Sequence, residues 1–243
     1  MIGVWSIVLV ALGLFPVANV HADSLTCSGS ANGGTASGTM AFLWNAATHT
    51  LHVVIDNTSP VVLDNGTGVN SPAMTVFGFD TVDPIPTVVS WTLTAKNSAH
   101  TPVLIGGSPT SGTGDWIPST AAAGLQLDFV PHTDKGVKGA LYNPLATSGF
   151  GGAPRYFTQA NLSLVFNGDF ALDVHGAGPG GQDSSPILRF QHVGRNGAGS
   201  VKLAGTPVPE PSATLLLGLS LACCAGCLGW WRWHERRRNL TKG

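Results

Sequence analysis

The chain is poor in charge. Only 10% of its 243 residues are Asp, Glu, Lys or Arg, and the deficits fall in particular places. No Glu occurs between Asp23 and Pro209, and no Lys or Arg precedes Lys96. A glycosidase needs two converging carboxylates, so here both would have to be aspartates, which counts against that activity. Eleven acidic and seven basic residues between Asp23 and Pro209 leave a net charge of −4. That balance offers no electrostatic footprint for nucleic acid or for an anionic membrane surface. Cysteine is also scarce, with Cys27 alone lying outside the C-terminal apolar run, so an intradomain disulfide is excluded. Cys27 reads as a small residue near a frayed N-terminus. It is a poor lipoprotein site, because Ser24-Leu25-Thr26 is the wrong lead-in and Asp23 interrupts the apolar stretch. Neither a Gly-x-Ser-x-Gly elbow nor a His-Glu-x-x-His pair is present. No cofactor is expected.

What is present divides the chain into two apolar ends and a long middle. Met1 to Val20 carry no charged side chain, and Val20-His21-Ala22 is an A-x-A-like cleavage site. Residues 1–22 are therefore expected to be a signal peptide, with cleavage between Ala22 and Asp23. The usual basic start is missing. Either the α-amino group supplies the charge or the true start lies upstream, and an uncleaved anchor is the alternative.

At the other end, Ser212 to Trp231 are 20 uncharged residues. At about 1.5 Å per residue they span about 30 Å, the thickness of a bilayer core. Trp230, Trp231 and Trp233 fall where an aromatic belt sits. Arg232, Arg236, Arg237 and Arg238 follow, and the positive-inside rule places them in the cytoplasm with the middle of the chain outside. Cys223, Cys224 and Cys227 lie within the apolar run and read as small apolar residues, acylation being the alternative. Immediately before it, Val208-Pro209-Glu210-Pro211 forbids helix and holds an extended segment at the membrane surface.

Motif, apolar span and arginine tail, in that order, resemble the PEP-CTERM sorting signal of Gram-negative bacteria. The resemblance covers residues 208–243, divided into the motif at 208–211, a transmembrane helix at 212–231 and a basic tail at 232–243. It implies recognition by an exosortase, a membrane-embedded cysteine enzyme that processes such proteins, and a setting of exopolysaccharide or biofilm. It further implies transient residence in the inner membrane, with the ectodomain in the periplasm, before delivery to the envelope or matrix.

The middle of the chain alternates with period two, the signature of half-buried strands. The clear runs are Leu51 to Ile55, Val89 to Ala95, Leu125 to Phe129 and Asn161 to Phe166, with Phe170 to Val174 and Ile187 to Val193 as further candidates. Thr39 to Trp44 and Thr75 to Phe79 are weaker. Asp64-Asn65-Gly66 and the 176–181 glycine run mark turns, and Asn167-Gly168 predicts a hairpin. About eight strands without an amphipathic helix predict an all-β ectodomain over 23–193: an antiparallel β-sandwich, jelly-roll-like. Residues 194–207, rich in glycine, are expected to be a linker.

Chemistry in the ectodomain is sparse. His49 and His52 form an H-x-x-H pair, but positions three apart on a strand point to opposite faces, so two solvent-facing histidines are expected. Asp169, Asp173 and His175 cluster in sequence and either bind a cation together or stand as outward polar groups, the second being preferred. Asp64 to Gly68 resembles a calcium-loop fragment without its closing Glu and reads as a turn. No metal site is expected. Trp91 reads as core. Trp116, in a Gly/Ser/Thr-rich stretch, is the candidate stacking platform for sugar. Two further functional classes follow: a carbohydrate-binding module, and a secreted hydrolase with converging aspartates.

Overall fold

The structure is a computed structural model that describes residues 20–82, 86–97, 99–108, 115–119, 127–132, 139–145, 157–173 and 185–208. Expectations that fall on Val174, His175, the 176–181 run, residues 1–19 or residues 209–243 lie outside these. The strands are β1 (Val20–Ala31), β2 (Gly34–Asn45), β3 (Thr50–Asn57), β4 (Ala73–Thr81), β5 (Val88–Lys96), β6 (Pro102–Gly107) and β7 (Trp116–Ser119). They continue with β8 (Leu127–Pro131), β9 (Thr158–Phe166), β10 (Leu172–Asp173), β11 (Ile187–Val193), β12 (Gly199–Ala204) and β13 (Thr206–Pro207). Every strand pairing is antiparallel. The described residues are all-β, built into two antiparallel sheets.

The first sheet has the order β13-β1-β2-β3-β9-β5-β6, and the second β12-β11-β4-β8-β7, with β10 also paired to β4. In the first sheet the period-two pattern is obeyed closely. Met40, Phe42 and Trp44 of β2 are buried while the residues between them are not. The same holds for Leu51, Val53 and Ile55 of β3 and for Leu162, Leu164 and Phe166 of β9. These inward residues join Phe77, Phe79, Phe129, Leu188 and Phe190 from the second sheet in one core. Rings meet across it: Phe42 and Phe79 lie edge to face with centroids 5.2 Å apart, and Trp91 meets Phe129 at 5.3 Å. Such pairs contribute about 0.5–1.5 kcal/mol beyond their area.

Two glycines let the sheets approach closely. A Cβ on Gly29 would stand 2.4 Å from a methyl of Leu203, and one on Gly38 would stand 2.6 Å from a methyl of Leu188. The bare backbone of β1 and β2 thus receives leucines of β12 and β11.

The turn joining β1 to β2 is Asn32-Gly33, with φ of 51° and 73°. Two positive φ values in a two-residue loop match the primed turn whose twist suits a hairpin. Asn167-Gly168 behaves differently from the expected hairpin, because β9 lies in the first sheet and β10 pairs with β4 in the second. The reason is in the ladder: β9 is already bonded on both sides, to β3 and β5. Phe170 is turned instead into the core, stacked on Phe166 at 5.4 Å.

Candidate functional site

The chain enters and leaves the first sheet side by side. Leu25 pairs with Pro207 and Thr26 with Thr206, the Thr206 hydroxyl donates to Thr26 O at 3.1 Å, and the Val208 amide donates to Ser24 O at 2.8 Å. Val208, first residue of the Val-Pro-Glu-Pro motif, is thus the exposed end of an edge ladder. The expected linker over 194–207 is corrected here: a 3₁₀ turn at Arg195–Gly197 is followed by β12 and β13. Val201 and Leu203 alternate with Ser200 and Lys202, and Leu203 is buried over Gly29. Glycine content masked a short alternating strand.

The expected cleavage point also sits within structure. Ala22 and Asp23 are both in β1, paired with Leu43 and Phe42, so the sheet starts three residues before the expected ectodomain boundary. Cys27 is likewise no frayed residue. It is a core side chain of β1, and burial pushes its thiol up to about 12, which leaves almost no thiolate for redox or acylation chemistry at neutral pH. Pro209, Glu210, Pro211, the span at 212–231 and the arginines at 232 and 236–238 lie outside the described residues. Among the described residues no helix is long and apolar enough to cross a membrane.

Beside this edge the two sheets leave a pocket of about 270 Å³, lined by Asp23, Phe42, Trp44, Leu51, Phe170, Ala171 and Leu172. Strand parity explains its character. Asp23 shares the inward face of β1 with Leu25 and Cys27, and it pairs with inward Phe42. The floor is apolar because Leu51 and Phe42 are buried core residues, whereas half-buried Asp23 stands at the rim. Trp44 and Phe170 form a wall with ring centroids 5.6 Å apart. Nothing in the sequence marked this pocket, since its residues come from strands and turns far apart in the chain.

Trp116 is corrected. It is fully buried, stacked on Phe77 at 5.2 Å, and its Nε1 donates to Gly139 O at 2.7 Å. No face is left for a sugar. The residue sits on β7 rather than in a loop, and alternation turns it inward. Trp44 and Trp91 are buried as well, so among the described residues no tryptophan offers an open stacking surface.

The histidine pair does not converge on a metal. His52 is exposed on β3, and His49 occupies the preceding turn at φ 48°, its ring 6.2 Å from that of Trp44. Asp173 does not share a hairpin with Asp169. It pairs across strands with Asp80 of β4, 93 positions away in the chain. Asp64 to Gly68 is a turn, closed by Gly66 N–H donating to Leu63 O at 2.8 Å and by Thr67 N–H donating to Asn65 Oδ1 at 3.0 Å. No three His, Cys, Asp or Glu among the described residues come together to hold a metal.

No protein-family model, curated protein or solved structure matches this chain. The resemblance to PEP-CTERM proteins accordingly rests on residues 208–243 alone.

Proposed function

We propose that this is an exported, non-enzymatic cell-envelope or extracellular-matrix protein whose residues 208–243 are a PEP-CTERM signal for exosortase recognition and processing. The observation that carries the reading is the order of Val208-Pro209-Glu210-Pro211, twenty uncharged residues and an arginine tail. The fold adds support. Described sheet structure ends at Val208, so cleavage beyond the motif would leave the two-sheet core whole. Exopolysaccharide is the proposed matrix partner, and the inner membrane is a temporary tether.

We further read the two sheets as a jelly-roll-like sandwich, because the chain changes sheet six times between β3 and β13. The meander β1-β2-β3 within one sheet is a departure from the eight-stranded pattern. The carbohydrate-binding reading loses its anchor with Trp116 buried. Among the described residues, Asp80 and Asp173 are the aspartates that strand pairing sets opposite one another, and glycoside hydrolysis that disappears in Asp80→Asn would favour a hydrolase.

The sorting claim is tested by replacing Pro209, Glu210 and Pro211 with alanine. The variant should accumulate as a full-length, membrane-held precursor, whereas processing at the wild-type rate would refute the proposal.

A further inference from the structure

Asn32, Asn65, Asn167 and Asn196 are each followed by glycine, and that dipeptide has a chemistry of its own. Glycine has no Cβ to obstruct its backbone nitrogen, so this nitrogen can reach the preceding side chain. It gives up its proton to hydroxide and bonds to the asparagine Cγ. The Cγ–Nδ2 bond breaks, ammonia leaves, and a five-membered succinimide remains. Water then opens the ring at either carbonyl, giving aspartate or isoaspartate. Sequence alone makes the four sites equal. The fold separates them, because ring closure requires the carboxamide to swing onto the next backbone nitrogen. Any hydrogen bond that fixes it elsewhere must first break.

Three of the carboxamides are fixed in this way. Asn32 Nδ2 donates to Arg195 O at 2.7 Å. Asn65 Oδ1 accepts from Thr67 N–H at 3.0 Å and from the Thr67 hydroxyl at 2.9 Å. Asn167 Oδ1 accepts from Thr87 N–H at 2.9 Å. The fourth, on exposed Asn196, makes no hydrogen bond among the described residues. Its nucleophile is restrained by a 3.1 Å bond from Gly197 N–H to Gly194 O, in a turn that lies between β11 and β12 and outside both strands. We propose that Asn196 is the site at which the folded chain deamidates itself, ahead of the other three. The reaction needs only water and hydroxide, and it does not rest on the sorting signal. Its product places a carboxylate beside Arg195 and, in the isoaspartate form, lengthens the backbone by a methylene. That change falls in the turn bonded to the β1–β2 hairpin through Asn32. It is one-way in water, so it marks the age of a molecule.

The test uses the full chain held in solution by a non-ionic amphipathic polymer and aged in mildly alkaline buffer. Samples taken over time are digested and mapped by mass spectrometry, with isoaspartate identified by electron-transfer fragmentation. Asn196 should convert about fivefold or more faster than each of the other three, the factor that one hydrogen bond is worth. The same chain aged in denaturant should lose that lead, all four sites converting at similar rates. Thr87→Pro removes the N–H that holds Asn167 and should raise the Asn167 rate while the other three stay as in the wild type. The wild-type comparison decides by itself if that variant folds poorly. A lead for Asn32, Asn65 or Asn167 in the folded chain, four equal folded rates, or a lead for Asn196 that persists in denaturant would overturn the assignment.

Discussion

The two sheets solve the same packing problem in different ways. In the first, every long strand has one dry face and one wet face. Ser24, Thr26 and Ser28 of β1 and Thr35, Ser37 and Thr39 of β2 point away from the core, and the pattern is the alternation expected of an antiparallel sheet with a solvated side. The second sheet is dry on both sides at its centre. Eight of the nine residues of β4 are buried. Phe77 and Phe79 face the main core, while Val76 packs with Ile187 and Val130 on the other face, and Ala73 packs with Ala140 and Tyr142. Burial pushes the Tyr142 hydroxyl pKa upward. A bulge where β4 meets β11 inserts Thr75 between the residues opposite Arg189 and Phe190, which re-aims the strand. The Thr75 hydroxyl is buried and finds no hydrogen-bond partner among the described residues.

That difference orders the effects of substitution. Phe77→Ala should be the most damaging, because the ring is fully buried and stacked on both Trp116 and Phe129. A loss of about 3–5 kcal/mol is expected, measured by denaturant unfolding, and a loss below about 1 kcal/mol would mean the sheets are not packed through β4. Next come outward positions compared between sheets. Val76→Ala should cost about 1.5–3 kcal/mol because Val76 is buried on the far face. Thr39→Ala, outward between Thr26 and Asp56, should stay within about 0.5 kcal/mol. Equal costs would erase the distinction between a covered and a wet sheet.

The smallest effect concerns Asp56, an acidic group on the first sheet's outer face. Partial burial raises its pKa above the ordinary 3.8, opposed by a 3.4 Å hydrogen bond from Gln159 Nε2 and by the charge of Lys96. The folded state therefore keeps this proton at a pH where the unfolded chain has lost it. Its contribution is present below the ordinary carboxylate range and declines as pH rises through the folded value. Asp56→Asn should remove that decline, giving a relative gain of a few tenths of a kcal/mol between acid and neutral pH for a group that solvent still screens. Unfolding midpoints taken across that range would show it, and a relative loss would reverse the sign assigned here.

Alternation could be read in both sheets. Leu51 to Ile55, Val89 to Ala95 and Asn161 to Phe166 lie in β3, β5 and β9 of the wet sheet, and Ile187 to Val193 is β11 of the dry one. Alternation in Leu25-Thr26-Cys27-Ser28 was there to be read for β1, and Asn32-Gly33 was as good a turn signal as Asn167-Gly168. Their place directly after an apolar, leader-like stretch masks both signals. Composition around Trp116 describes a loop, while one residue of alternation decides its face. Ser200 to Leu203 shows the same conflict, with flanking glycines outweighing a real period of two. Neither the pocket at Asp23 nor the pairing of Asp80 with Asp173 was legible, since both depend on which strands cross between sheets.

The central claim, that residues 208–243 are a signal to be removed, is tested most directly by intact mass spectrometry of the protein recovered from outside the inner membrane. An N-terminus at Asp23 and a C-terminus near Pro209-Glu210-Pro211 are expected, without the apolar span or the arginines. Recovery of an extracellular form that still carries Arg232 to Arg238 would contradict it.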